Sequence, residues 1–237
     1  MRHSAWMANT AYYVGFAAFL WMLYANPSWF WVAFALYIAG GLTISVGYHR
    51  LFCHSAFETS RFWHWAFALY GVLFMYSSPI QWVVTHATHH RHSDTDKDPH
   101  EGPLRWASLL RKGYRDVPLL TIRAKRMLRQ KLHYIVDAFY VPIWTAMVAV
   151  MALISVDFVL YAYLPALGLA HFVAALHQTF SHIGDKPNDY GWLEFVFPSA
   201  GEWLHAHHHR HVRDWKFANK WWHLDTGALL IKAIKTS

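Results

Sequence analysis

The sequence predicts an all-α integral membrane protein with four transmembrane helices in two hairpins. Of its 237 residues, 55% are apolar and only 15% are charged, against roughly 25% charged residues in an ordinary soluble domain. We place the hairpins at about residues 4–48 and 138–176, because both regions consist of paired stretches that lack Asp, Glu, Lys and Arg. The remaining parts, about 49–137 and 177–237, are predicted to form a helical cap on the cytoplasmic side. We treat 1–237 as a single domain.

The first hairpin follows from two apolar stretches around a short turn. Ser4–Ala25 and Trp29–Tyr48 contain no charged residue. Each is about the 20 residues that a helix needs to cross a hydrocarbon core. The Asn-Pro-Ser sequence at 26–28 is typical of a tight turn.

The second hairpin has the same pattern at 138–156 and 158–176, with Asp157 between the two stretches. A further apolar segment, Phe62–Val84, is interrupted by Ser77-Ser78-Pro79. The sequence is compatible with either a spanning helix or a re-entrant segment here.

Positive charge predicts the orientation in the membrane. Residues 91–131 hold eleven Lys and Arg against five Asp and Glu, whereas the turns at 26–28 and 155–157 hold no Lys or Arg. By the positive-inside rule, the basic loop and both termini are cytoplasmic. If His49 and His86 lie on the same side, the segment 62–84 has to return to the side it left.

Composition also excludes several classes of protein. A single cysteine, Cys53, rules out an intramolecular disulfide framework. We expect no cleavable signal peptide, since the first apolar stretch is long and no small-residue cleavage site follows it. We expect no nucleic-acid partner.

Histidine is the most unusual feature, with 19 copies in the chain. Imidazole is the commonest metal ligand among side chains and suits Fe, Zn, Cu and Ni. Residues at i, i+3 and i+4 share one face of a helix, which aligns three histidines in each of two His-x-x-His-His patterns. His207 lies about 200° around the helix from His205, so we exclude it. The predicted metal ligands are His49 and His54; His86, His89 and His90; His182; and His205, His208 and His209.

Ligand counting predicts two metal ions. Nine imidazoles exceed what one ion can accept, whereas two ions with four or five ligands each would use them all. A carboxylate-bridged bundle site requires more Glu-x-x-His motifs than this chain has, since only Glu202 lies three residues before a histidine. A structural zinc site prefers cysteine-containing ligand sets. His49 and His54 are about 140° apart on a straight α-helix, so this pair needs a bend or convergent side chains.

These motifs resemble the three histidine boxes of the membrane fatty-acid desaturases, most closely the acyl-CoA branch that includes the stearoyl-CoA desaturases. The similar segments are HRLFCH at His49–His54, HATHHRHSDTDKDPH at His86–His100 and GEWLHAHHH at Gly201–His209. His182 and the Ile-Gly-Asp-Lys-Pro after it are similar to the family's additional histidine ligand and its turn. The resemblance covers about Gly47 to His209.

The resemblance implies two iron ions held by the nine histidines, O₂ as co-substrate and a cis double bond introduced into a fatty acyl chain. The carrier could be CoA, acyl carrier protein or a membrane lipid. A family Asn that contacts one iron through water is replaced here by Gln178. Without a fused cytochrome b5-like motif, the electrons are expected from a separate donor such as ferredoxin, rubredoxin or cytochrome b5. The basic loop could dock such an acidic donor or bind CoA phosphates or anionic lipid headgroups.

An apolar tunnel below the metals is expected to hold the acyl chain, with Trp82 and the helix Trp29–Val46 as candidate walls. The main alternative is a related histidine-box hydroxylase or ketolase that acts on another lipid. A membrane metal transporter is less compatible, since it would place His and acidic residues inside the spanning helices. A bis-histidine heme protein is a third alternative, which an absorbance spectrum would test.

Overall fold

In a computed structural model, which describes residues 3–100 and 122–236, the chain is built almost entirely of helices. Over those two ranges there is no extended strand, only the isolated bridges Thr59–Lys235 and Asp189–Leu204. The predicted all-α class is therefore confirmed. Residues 101–121, which carry part of the predicted basic loop, lie outside the described residues.

The region of the first predicted hairpin forms two helices joined by a short turn. Helix α1 spans His3–Ala25, a 3₁₀ turn follows at Pro27–Trp29, and α2 spans Phe30–Leu42. Helix α2 then continues without a break into a π-helix, Thr43–Cys53. The π-helix is almost wholly buried and leads directly into the first histidine group.

Two short helices replace the ambiguous segment at 62–84. Helix α3 spans Arg61–Leu73 and α4 spans Pro79–His92. Between them the backbone turns through positive φ angles at Met75 (56°) and Ser77 (74°). Ser78 caps α4 by accepting a hydrogen bond from the backbone N–H of Gln81 at 3.2 Å. The sequence break therefore ends one helix and starts another.

The polar backbone groups at this break are satisfied by side chains from other helices. Such partners are needed because an unpaired backbone group in an apolar environment is costly. The Tyr163 hydroxyl donates to the Leu73 carbonyl at 2.7 Å, His171 Nε2 lies 2.9 Å from the Phe74 carbonyl, and the Ser77 N–H donates to the Tyr140 hydroxyl at 3.2 Å.

The second hairpin begins after the basic segment. Helices α5 and α6 span Ile122–Leu128 and Lys131–Ala138. Helix α7 spans Tyr140–Ile154 and meets α6 at a bend of 78°. After Ser155 the chain returns through α8 (Val156–Phe158), a second π-helix (Val159–Tyr163) and α9 (Leu164–Phe180).

The C-terminal part contains short elements. A 3₁₀ helix spans Gly191–Phe195, α10 spans His205–Arg210 and α11 spans Thr226–Ile234. Helix α11 packs against the first π-helix. The end of the chain therefore lies beside the first histidine group.

Two continuous helical segments, Pro27–Cys53 and Val156–Phe180, are long and apolar enough to cross a membrane. The bent pair Lys131–Ala138 and Tyr140–Ile154 would make a third span if it crosses as one unit. Large apolar side chains near both predicted turns are exposed on the surface, including Trp31 (73% exposed) and Leu153 (87% exposed). Such exposure is unfavourable in water and suits contact with lipid.

Helix α1 packs along α9 through a very close backbone approach. A Cβ added at Gly168 would lie 2.0 Å from the carbonyl carbon of Gly15, and a Cβ at Gly15 would lie 2.5 Å from the nitrogen of Gly168. Small residues at a crossing point let helices approach closely, as is common in membranes. This contact joins the two hairpins into one bundle.

Candidate metal centre

The nine predicted histidines converge in two groups, although they come from four separate parts of the chain. In each group the candidate ligand atoms all lie within 4.8 Å of one another. The five-histidine group consists of His49, His54, His86, His90 and His208. The four-histidine group consists of His89, His182, His205 and His209.

Each His-x-x-His-His helix contributes to both groups. On α4, His86 and His90 belong to the five-histidine group while His89 belongs to the other. On α10, His205 and His209 join the four-histidine group while His208 joins the five-histidine group. The i and i+4 side chains are stacked along the helix axis, so they converge on one point while the i+3 side chain turns to its neighbour. The two helices thus form a shared wall between two adjacent sites.

The π-helix brings His49 and His54 together. A π-helix joins residues i and i+5 by hydrogen bonds, and the His54 N–H donates to the His49 carbonyl at 3.1 Å. Residues five apart therefore lie above one another instead of about 140° apart as on an α-helix. The ring centroids of the two histidines are 4.9 Å apart. The convergence that the sequence required is produced by this local change of helix type.

The first and second histidine groups of the sequence lie on the same side of the fold. His54 Nε2 is 3.0 Å from His86 Nε2, and His49 Nε2 is 2.9 Å from His208 Nε2. The segment 62–84 therefore returns to the side from which it left.

Three carboxylates fix the orientation of three imidazoles. Glu202 Oε2 lies 2.7 Å from His49 Nδ1, both carboxylate oxygens of Asp98 lie 3.0 Å from His89 Nδ1, and Asp94 Oδ1 lies 3.1 Å from His182 Nδ1. An ionised carboxylate can only accept hydrogen bonds, so the proton is on Nδ1 and the unprotonated Nε2 faces the group. This carboxylate–histidine arrangement is typical of metal ligands.

Sequence reasoning did not assign these carboxylates a role. Glu202 and the Ser-Asp-Thr-Asp-Lys-Asp run after the second box supported only the resemblance. Asp94 and Asp98 lie four and eight residues after His90, and Glu202 lies three residues before His205. This closeness to the histidine groups could have indicated them as partners of the ligands. Their pairing with particular rings depends on loop geometry that spacing alone does not provide.

Burial favours the neutral form of several of these imidazoles. It lowers the pKa of His86, His205 and His208 well below the usual value, and neighbouring histidines lower it further. The same causes, burial first, lower the pKa of His90 to about 3 and that of His209 to about 2. Neutral imidazoles are the form that binds a metal.

The arrangement of nitrogens fits metal binding. Within the groups, neighbouring Nε2 atoms lie 2.8–3.0 Å apart. Two nitrogens bound at about 2.1 Å to one ion, at right angles, would be about 3.0 Å apart. In the described part of the chain, the buried Nδ1 atoms of His205 and His208 have no hydrogen-bond partner. In each of these two rings, Nε2 is therefore the nitrogen that lies close to other side chains, and those side chains are imidazoles.

The excluded histidine indeed faces away. His207 Nε2 lies 3.5 Å from Asp214, and its Nδ1 lies 3.0 Å from Asn219. Neither group of candidate ligands includes it. His177 is a close neighbour without being a group member: its ring centroid is 4.8 Å from that of His205, and its Nε2 lies 2.8 Å from the Glu202 carbonyl.

A cavity lies beside the histidines. It is lined by histidines of both groups, including His49, His86 and His182. Trp82 and Gln178 also line it. Its lining also includes small and apolar side chains from α1, α2 with the following π-helix, and α9, among them Ala8, Tyr37, Gly41, Ile44, Ala170 and Ala174.

Comparison with known proteins supports one family. The chain is 27% identical over 248 residues to an sn-1 stearoyl-lipid 9-desaturase of Anabaena variabilis, which covers 96% of this chain and 89% of the relative. It is 29% identical to Delta-9 acyl-lipid desaturase 1 of Arabidopsis thaliana, over 86% and 71% of the two chains. An acyl-CoA C20 Delta5-desaturase of Anemone leveillei is 25% identical, over 88% and 72%. No family profile matches the chain.

These similarities extend over most of the chain, and the described residues contain two histidine groups that could hold metal ions. The named relatives are acyl-lipid desaturases, which are oxidoreductases. The shared sequence and the histidine groups together support a fatty-acid desaturase family for this chain.

Proposed function

We propose that the protein introduces a cis double bond into the acyl chain of a membrane glycerolipid, with two iron ions held by the nine histidines. The observation that carries this proposal is a largely apolar cavity that is lined by histidines of both groups. A chain of CH₂ groups in such a cavity would gain about 0.8 kcal/mol for each group buried. The shape of the cavity would then determine which bond lies beside the metals.

Iron with nitrogen ligands and an open coordination position supplies the O₂-dependent oxidation that an unactivated alkyl chain requires. The overall reaction consumes one O₂, two electrons and two protons, removes two vicinal hydrogens from the chain and releases two molecules of water. The five-histidine group would hold one iron and the four-histidine group the other. Gln178 lines the cavity, which supports the proposed contact through water with one of the irons.

The residues of this chain provide ligand orientation and water exclusion. Glu202, Asp94 and Asp98 hold three Nδ1–H groups, which keeps the Nε2 atoms directed inward. Trp82 stacks on His86 with ring centroids 4.6 Å apart, and both side chains line the cavity. An acyl chain in the cavity would contact this indole beside the metal ligands.

A lipid-linked substrate is favoured by the relatives. The Anabaena and Arabidopsis proteins are acyl-lipid desaturases with position-9 specificity. We propose the same substrate class and position here, with acyl-CoA, as for the Anemone enzyme, as the alternative. Residues of helices α1, α2 and α9 line the cavity, and α2 and α9 belong to the segments that could cross a membrane, which supports a substrate from the bilayer.

The proposed topology is four spans, with the metal sites and both termini on the cytoplasmic side. Two or three segments meet the criteria for spanning helices. Helix α1 is supported as the additional span by its 23-residue length and by its close packing along α9. A separate protein such as ferredoxin, rubredoxin or cytochrome b5 would supply electrons from the cytoplasmic side.

Expression in a host that lacks the product tests this function. We expect a new unsaturated fatty acid with its double bond at carbon 9, enriched in the glycerolipid fraction, and iron in the purified protein. A product that contains inserted oxygen would instead indicate the hydroxylase alternative. Enrichment in acyl-CoA rather than lipid would reject the proposed carrier.

Histidine substitutions test the site. His89→Ala and His208→Ala remove one ligand from each group, so each should abolish the new unsaturation and reduce bound iron. His207→Ala is the matched control on the same helix as His208, and it should retain most of the activity. Activity in both ligand variants would refute the assignment.

A further inference from the structure

We propose that Arg50 and Asp225 are positioning residues for the five-histidine group, and that the C-terminal segment 215–234 is thereby part of the metal site. This inference rests on the proposed metal binding and extends it to residues outside the histidine groups.

The first step of the argument is the contact between Glu202 and the ligand His49. Glu202 Oε2 accepts from His49 Nδ1 at 2.7 Å. Its other oxygen accepts a hydrogen bond from the Ser45 hydroxyl. The position of this carboxylate therefore determines the orientation of the His49 ring.

The second step is the burial of Arg50 beside that carboxylate. Arg50 follows His49 directly in the chain, and its side chain is completely buried. One guanidinium nitrogen, Nη2, lies 3.9 Å from Glu202 and donates to the Ala200 carbonyl at 2.6 Å. Arg50 thus contacts both Glu202 and the loop that carries it.

The third step is the partner that holds Arg50 from the C-terminal segment. Arg50 Nη1 donates to Asp225 at 3.0 Å and to the Trp215 carbonyl at 2.8 Å. Asp225 in turn accepts from the backbone N–H groups of Phe217 and Ala228. A buried charge needs such a partner because an unpaired one is strongly unfavourable. Asp225 therefore fixes Arg50 and anchors both ends of the segment 217–228.

Phe217 gives a second, independent connection to the site. Its ring lies over the Arg50 guanidinium, with 3.8 Å from the central carbon to the ring centroid. The same ring packs on His208 and His49, with centroid distances of 4.9 and 5.7 Å. Two ligands of the five-histidine group thus rest against a residue of the C-terminal segment.

Two glycines make this close packing possible. A Cβ at Gly201, where φ is +95°, would lie 2.5 Å from an Asp225 carboxylate oxygen. A Cβ at Gly227 would lie 2.6 Å from the Ala200 carbonyl oxygen and 3.1 Å from Arg50. The Arg50–Asp225 pair therefore occupies space that any larger residue at these positions would block.

The orienting carboxylates of the four-histidine group, Asp94 and Asp98, both lie in the loop that follows α4 and not in the segment that Arg50 and Asp225 hold. Disruption of the Arg50–Asp225 pair should therefore weaken one metal site and leave the other unchanged. This selectivity separates a positioning role from a general loss of stability.

Chelator-induced iron release from the purified full-length protein tests the proposal. Glu202→Gln and Asp98→Asn serve as references for weakening of the five- and four-histidine groups. We expect Asp225→Asn, which retains an oxygen for capping α11, to accelerate release of one of the two iron equivalents about tenfold or more. The optical spectrum of the remaining iron should match that of Glu202→Gln.

Thr59→Val is the matched control, since Thr59 donates to the Ile234 carbonyl at 2.7 Å and so docks the same segment without contacting Arg50. It should lower the melting temperature without changing iron release. Three results with Asp225→Asn would overturn the proposal. They are equally faster release of both irons, loss of the same iron as in Asp98→Asn, and an unchanged rate of release. If Asp225→Asn does not fold, Phe217→Leu decides by the same criterion. Wild-type protein that binds no iron would instead refute the proposed function itself.

Discussion

Asp98→Asn provides a direct measure of how much an orienting carboxylate contributes to the four-histidine group. Asp98 is 3% exposed, and both its oxygens lie 3.0 Å from His89 Nδ1. Burial by itself raises the pKa of Asp98, but the hydrogen bond from His89 lowers it, and the net pKa is lowered. The group is therefore ionised at neutral pH and only accepts hydrogen bonds.

The substitution keeps the shape of the side chain and removes its charge. Loss of an orienting partner typically lowers metal affinity 10- to 100-fold, which corresponds to about 1.4–2.7 kcal/mol. Only the four-histidine group contains His89, so one of the two metals should be affected. The amide can still accept one hydrogen bond from His89, which favours the lower end of this range.

Iron content measured against increasing chelator concentration is the assay. We expect one iron equivalent to leave at a 10- to 100-fold lower chelator concentration than in the wild type, while the second is unchanged. Asp96→Asn is the matched control, because Asp96 is exposed and lies two residues away in the same loop. The reasoning would be refuted if the first iron equivalent left Asp98→Asn at the same chelator concentration as the wild type. It would also be refuted if Asp96→Asn had an equal effect.

Three further predictions concern stability. Gly168→Val should lower the free energy of unfolding by about 1–3 kcal/mol, because the valine side chain would clash with the backbone of the facing helix. Gly41→Ala is the control, since its added Cβ meets only an ordinary contact at 3.8 Å and should be tolerated. Thermal unfolding in detergent compares the two variants. Tyr163→Phe removes the hydrogen bond to the Leu73 carbonyl at the break between α3 and α4, together with the one that Trp144 donates to the hydroxyl, and should cost about 1–3 kcal/mol in the same assay. Acid should destabilise the metal-free protein. The folded pKa values of His90 (about 3) and His209 (about 2) are below the unfolded value of about 6.5. The contribution of these two histidines to the free energy of unfolding is therefore complete above pH 6.5 and is lost as the pH falls toward 3. A melting temperature that stays constant or rises from pH 7 to 4 would contradict this last prediction.

The sequence alone determined the helical class, the break at Ser77–Pro79 and which nine histidines converge. The reason is that these features depend on local rules. Charge-free length predicts apolar helices, a Ser-Ser-Pro run ends one helix and caps the next, and the 3.6-residue period decides which side chains share a face. The same period correctly separated His207 from His205, His208 and His209. That these nine bind iron stays a prediction.

Tertiary structure decided how the histidines are divided and what supports them. Spacing along one helix defines a face but not its partners, so the assignment of His89 and His208 to opposite groups required the meeting of histidines from α4 and α10. The alignment of His49 with His54 required a π-helix, which has no clear sequence signal. The pairing of Glu202 with His49, and of Arg50 with Asp225, joins residues more than 150 positions apart. Contacts at such separation depend on how the helices assemble, and local sequence patterns carry no information about it.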